Sequence, residues 1–145
     1  MSADLTWGKM VTLASGLTLA ADATNYHSLD ALSLDADVVQ LQVDVTFGAT
    51  PDDGVMCTAR ASVDAGEHPD VGTYVAEFEV VHGTNATRRR TYLLSSPYPY
   101  YRVEIFNDDS ADAVTYTLRA LLGSYKQETR GVALTELQQR VNAAR

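Results

Sequence analysis

The sequence predicts a mainly β protein: an antiparallel, jelly-roll-like β-sandwich of about eight strands, followed by a short C-terminal helix. Three observations lead there. Short segments of alternating apolar and polar residues recur along the chain, and that alternation is the period of a half-buried strand. Clusters of Gly, Pro, Asp and Asn separate these segments at regular spacing, as in sandwiches and barrels. Beyond Gly123 the apolar spacing changes to three and four, the period of a helix. A chain of 145 residues can bury one sizeable core. It divides into a sandwich domain with an N-terminal arm, residues 1–125, and a linker with the helix, residues 126–145.

Taken in order, Leu5, Trp7, Val11 and Leu13 share a parity, with Lys9 breaking the apolar face, and predict a first strand. Ala14-Ser15-Gly16 is expected to interrupt it, with Leu17 to Ala20 as a short second strand. Residues 21–37 stay unassigned, with 21–30 open between a helical turn and an irregular loop and Tyr26, Leu29 and Leu32 as the anchors. Val39, Leu41, Val43, Val45 and Phe47 define the apolar face of the clearest strand. Pro51-Asp52-Asp53-Gly54 is a turn, because Pro presets its first dihedral and Gly permits positive φ. Val55 to Val63 is expected to pair back on the strand before it. Tyr74 to His82 and Arg88 to Leu94 are further strands, and Pro97 and Pro99 exclude a central strand between Leu94 and Tyr100. The stretch Pro97 to Tyr125 reads as a β-hairpin. Tyr101, Val103 and Ile105 face one way on its first arm, and Val114, Tyr116, Leu118 and Ala120 on its second, around the turn residues Asn107 to Asp112. In Gly131 to Arg145, Leu134, Leu137, Val141 and Ala144 share one helical face, and Glu136 and Arg140 form an i,i+4 pair. A helix that short needs a surface to dock on.

The net charge of −8 repels phosphates and anionic lipid, so neither nucleic acid nor membrane is expected as a primary partner. Cys57 is the single cysteine, which excludes an intrachain disulfide and reads as a small buried hydrophobe. The first residues lack the pattern of a secretory signal, and no apolar run has the length of a membrane span.

Catalytic signatures are absent from the sequence: it has no Gly-x-Ser-x-Gly elbow, no His-Glu-x-x-His pair and no phosphate-binding glycine loop. His27, His68 and His82 are far apart in sequence. The carboxylates Asp52-Asp53, Asp64 with Glu67 and Asp70, and Asp108-Asp109 with Asp112 read as turn formers. Among them the Asp64, Glu67 and Asp70 group is the calcium alternative. The expectation is therefore a protein that is not an enzyme and uses no metal or cofactor. The residues singled out for contact with other subunits are Leu5 and Trp7 in the arm, Arg88, Arg89 and Arg90, Tyr98 and Tyr100, and the helical face Leu134, Leu137 and Val141. For the arginines, a solvated strand edge that resists edge-to-edge pairing stands beside ion pairing with an acidic neighbour. For the tyrosines, packing at an edge or subunit contact stands beside stacking on sugar rings.

The strand ending Val43-Asp-Val-Thr-Phe-Gly48, the turn Thr50-Pro-Asp-Asp-Gly54, Ser62-Val-Asp-Ala-Gly66 and the closing Tyr101–Asn107 and Val114–Leu118 arms resemble small β-sandwich structural proteins of tailed bacteriophages. The resemblance covers about Val38 to Tyr125. It implies a non-enzymatic virion protein, a capsid decoration or cement protein or a head–tail component, assembled in the host bacterial cytoplasm. Its implied partners are copies of itself, with a trimer as the expected oligomer, and other virion proteins such as the major capsid protein. The alternative is a carbohydrate-binding or receptor-binding β-sandwich module.

Overall fold

The computed structural model describes residues 5–31, 36–62, 74–94 and 98–125. They form eight strands: β1 (Leu5–Leu19), β2 (Thr24–Asp30), β3 (Val38–Thr46), β4 (Val55–Ser62), β5 (Tyr74–Val80), β6 (Thr87–Leu94), β7 (Tyr100–Asn107) and β8 (Val114–Tyr125). Two four-stranded sheets result, in the orders β1-β8-β3-β6 and β2-β7-β4-β5. Every pairing is antiparallel. This is the double-sheet arrangement of a jelly roll. The core fills the space between the sheets, where Leu41, Val43, Val55, Val103, Ile105 and Leu118 have no exposed surface. The predicted helix with Leu134, Leu137 and Val141 lies outside the described residues.

Strand positions follow the alternation, but two predicted pairings are corrected. The Pro97–Tyr125 stretch is not a hairpin: β7 belongs to the second sheet and β8 to the first. Likewise β4 does not pair back on β3 but lies between β7 and β5. The physical reason is shared by both. Each strand has one strongly apolar face, and the connection is long enough to cross the roughly 10 Å between packed sheets. Crossing places both apolar faces in the core. Among consecutive described strands only β4 and β5 are neighbours in a sheet.

β1 also differs from expectation. Ala14-Ser15-Gly16 does not end a strand. It is absorbed as register shifts between Thr12 and Ala14 and between Ala14 and Leu17. Gly16 takes φ 56°, a left-handed angle that glycine adopts without penalty, and its N–H donates to Thr117 Oγ1 at 3.0 Å. A third shift lies between Trp7 and Met10. The segment left open at 21–30 contains β2, whose Asn25, His27 and Leu29 turn inward while Tyr26, Ser28 and Asp30 are exposed.

Candidate functional site

Four connections meet at one end of the sandwich and are bonded to one another. Asp22 N–H donates to the carbonyl of Asn107 at 2.9 Å, Asn107 N–H to Ala23 at 3.0 Å, Asp108 N–H to Gly54 at 3.2 Å and Asn85 N–H to Gly48 at 2.8 Å. The fully buried Asn107 is the hub. Its Nδ2 donates to the carbonyls of Leu19, Ala20 and Asp112 at 3.3, 3.3 and 2.9 Å, and its Oδ1 accepts from Asp109 N–H at 3.1 Å.

This end is acidic. The Asp109 carboxylate accepts backbone N–H bonds from Asp112 at 2.8 Å, Ala111 at 2.9 Å and Asp52 at 2.9 Å. These donors, Asp112 and Ala111 foremost, hold its pKa down at about 2. Asp52 accepts from the N–H and hydroxyl of Ser110, and Thr50 donates to Asp112 Oδ2 at 3.0 Å. Burial, and then the nearby Asp53, Asp22 and Glu79, push the Asp108 carboxyl up. The carboxylates act here as turn organisers, as the sequence reading preferred. Among the described residues no group of three or more His, Cys, Asp or Glu side chains is placed to hold a metal ion. Asp64, Glu67 and Asp70 lie outside the described residues.

Arg88, Arg89 and Arg90 lie together on β6, an edge strand of the first sheet, and all three are exposed. Arg89 is held by Asp44 of β3, with Nε to Oδ1 at 2.6 Å and Nη2 to Oδ2 at 3.1 Å. That bond and the Asp44 charge push the Arg89 pKa up. Arg119 reaches the same carboxylate at 3.4 Å. Arg90 donates to the carbonyl of Glu79 at 2.7 Å and lies 5.7 Å from the Phe78 ring centroid, so it covers the open side between the sheets. Phe78 stacks on Tyr92 beneath it at 5.0 Å.

The outer face of the first sheet is divided along its length. Antiparallel partners share a face, so its rows follow from the register. Thr12, Arg119, Gln42 and Thr91 form one row, and Thr117, Asp44 and Arg89 another. These are ordinary solvated rows. Towards the other end, Met10, Leu121, Gln40 and Leu93 form a row, then Trp7, Gly123 and Val38, then Leu5 and Tyr125. Leu5, Trp7, Met10, Leu93 and Tyr125 are exposed large apolar side chains, Met10 and Leu93 each at 50%. Trp7 lies directly over Gly123, where a Cβ would come within 3.0 Å of the indole. The shift between Trp7 and Met10 gives β1 one residue more than β8 and keeps both side chains on this face. Sequence reading found Leu5 and Trp7. It missed Met10, Leu93, Leu121 and Val38, which only the register brings beside them.

Tyr98 stands just before β7 and Tyr100 at its start. Tyr98 is half-buried, with its N–H donating to Tyr101 Oη at 2.8 Å and the two rings edge-on at 6.2 Å. Tyr100 is half-buried opposite Asp30 and Ser62. Tyr26 is an open aromatic of the second sheet, 58% exposed, with the Arg102 guanidinium 4.4 Å from its ring centroid. Arg102 and Arg60 both bond Glu104 Oε1, at 2.6 and 3.2 Å.

No family model matches the chain. No curated protein matches it by sequence. Solved structures do share the fold. The PBSX exported protein XepA aligns with TM-score 0.56 and 15% identity over 83% of this chain and 38% of its own. The VP2 subviral particle of infectious bursal disease virus aligns with TM-score 0.52 and 12% identity over 86% of this chain and 34% of that one. A family 16 carbohydrate-binding module gives TM-score 0.46 and 12% identity over 75% of each chain. This chain therefore spans little more than a third of the first two proteins. At such identities the likeness is one of fold alone, a β-sandwich of two packed sheets.

Proposed function

We propose that this chain is a non-enzymatic structural protein of a tailed-phage virion, a capsid decoration or head–tail component that works through repeated symmetric contacts. It joins copies of itself, with a trimer as the closed form, and a larger virion partner such as the major capsid protein. The observation that supports this reading best is where charge lies on the sandwich, an acidic connection end beside an arginine-bearing edge strand. The connection end carries Asp22, Asp52, Asp53, Asp108, Asp109 and Asp112, while three of the chain's 11 Lys and Arg residues stand in a row on the edge strand β6. An acidic end meeting a basic edge on the next copy is a head-to-tail contact, which closes into a ring when the rotation permits. Such a contact gains little per copy in water, and repetition supplies the avidity. The test is the mass of the full chain by light scattering across concentration and salt. A trimer that weakens with salt and is lost in Arg88→Glu/Arg89→Glu supports the reading. A strict monomer at high protein concentration and low salt overturns it.

A second reading, glycan binding, draws on Tyr26, whose exposed ring is braced by Arg102 on the outer face of the second sheet. Aromatic rings of this kind stack on sugars. A glycan-array signal lost in Tyr26→Ala, with the thermal midpoint unchanged, is its expected outcome.

A further inference from the structure

The apolar end of the first sheet's outer face is unusual for a sandwich, whose outer faces are ordinarily polar along each strand. Leu5, Trp7, Met10, Leu93 and Tyr125 are all exposed there, and they come from three strands. No residue paired in the three rows that hold them is charged. A contiguous apolar surface of this kind marks an interaction site. It lies on a sheet face rather than in a cleft, so it suits a broad partner more than a small ligand. Strands about 4.8 Å apart, with same-face residues about 6.8 Å apart, give each position roughly 33 Å² of sheet. The apolar rows and the adjoining row from Thr12 to Thr91 then offer a footprint of roughly 400 Å². Protruding side chains add to that, so two such faces would bury about 1,000 Å² of accessible surface, the lower limit for a specific contact.

We infer that this face pairs with the same face of a second copy, about a two-fold axis running along the strands. Sheet faces pack on one another about 10 Å apart and need no pocket to do so. The axis lays β1 of one copy over β6 of the other and sets each row opposite itself. The row Met10, Leu121, Gln40, Leu93 is suited to this, because its most exposed side chains, Met10 and Leu93 at 50% each, occupy its two ends. Met10 then meets Leu93 of the second copy, and the two-fold axis makes that contact twice. In the next row Val38 comes opposite Gly123 of the second copy, beside the Trp7 ring that lies over it. A second copy is favoured over an unlike partner by this self-complementarity and by charge. Two chains of net charge −8 repel, and the uncharged rows let them meet without facing like charges. The contact is separate from the one between acidic end and arginine edge and does not rest on it.

Trp7 is the only tryptophan of the chain and belongs to this surface, so its fluorescence reports the contact. The test is light scattering and Trp7 emission of the full chain, from low to high micromolar protein, in about 0.5 M sodium chloride to screen the charged contact. The expected mass rises from one chain to two, and the emission moves to shorter wavelength along the same curve. Met10→Lys/Leu93→Lys sets like charges opposite each other and is expected to weaken the dimer at least tenfold. Both side chains are exposed, so the strand circular-dichroism signal and the thermal midpoint should be retained. A mass of one chain at the highest concentration overturns the inference. So does a dimer that the lysine pair leaves intact, or one that dissociates as salt rises, because charge rather than apolar contact then holds it. A blue-shifted emission that is independent of concentration also overturns it, since the surface is then covered within one chain.

Discussion

The Tyr116 hydroxyl lies 2.6 Å from Nε2 of His27, a polar contact that ties β8 of the first sheet to β2 of the second. Asn25 Nδ2 donates to the same oxygen at 2.9 Å, and the His27 and Tyr116 rings meet edge-on at 5.8 Å. With an acceptor site of the oxygen used by Asn25, the hydroxyl proton is available to the lone pair of neutral His27. Tyr116→Phe removes the shared partner of two inward-facing groups. It is expected to cost about 2 kcal/mol, read as a lowered urea midpoint with unchanged slope.

Burial lowers the His27 pKa. Between the folded value and the ordinary value near 6.5 the unfolded state binds more protons, so this contribution to stability is full above that range. It declines as pH falls from about 6.5 through the folded value. Thermal midpoints from pH 7.5 to 5 should therefore fall, and His27→Gln should flatten that slope.

Asn107 joins the β1–β2 and β7–β8 connections through three donated bonds and one accepted bond. Among side chains of similar size only the carboxamide offers two donor hydrogens beside a carbonyl acceptor. Asn107→Ala is expected to cost about 3 kcal/mol, since buried carbonyls lose their donor, and equilibrium denaturation measures it.

The Asp109 pKa is held at about 2 by backbone donors, so its contribution is present above the ordinary carboxylate range and is lost as pH falls from about 4 through about 2. Asp109→Asn should be less stable than the parent at pH 7 and closer to it at pH 2. Asp108 is the opposite case, with its carboxyl pushed up by burial and neighbouring carboxylates. Its ionisation opposes folding at neutral pH, so Asp108→Asn should raise the thermal midpoint there.

Cys57 is fully buried on β4 and burial pushes its thiol pKa up. A thiol without access to solvent or to its thiolate form is inert. The expected outcome is no reaction with an aromatic disulfide reagent in buffer and one equivalent released in denaturant.

The sandwich class and the strands β3, β4, β5 and β7 were legible because their alternation is strict: a single misplaced residue would turn a core side chain such as Val43 or Ile105 into water. Pairing was not legible. Turn residues such as Asn107 and Asp109 serve a hairpin and a crossing between sheets equally well, and the choice is made by apolar faces far apart in sequence. β2 was missed as a strand because its inward residues include Asn25 and His27, whose partner Tyr116 lies on the distant β8. Lys9 breaks the apolar face of β1 in the sequence because parity counting has no place for the extra residue between Trp7 and Met10. The surface residues Met10 and Leu93 were invisible for the same reason: they become neighbours only through β8 and β3.

The position of β8 has a consequence for how the chain is made. β8, the last of the described strands, is inserted between the first and the third, so until Tyr125 has left the ribosome β1 lacks its described neighbour and β3 lacks one of its two. Contacts between β1 and β8 close a loop of nearly the whole sandwich, an arrangement that folds in milliseconds to seconds rather than microseconds. The nascent protein therefore waits, with two open strand edges, for β8. Any contact that needs the completed first sheet can form only once β8 has been made.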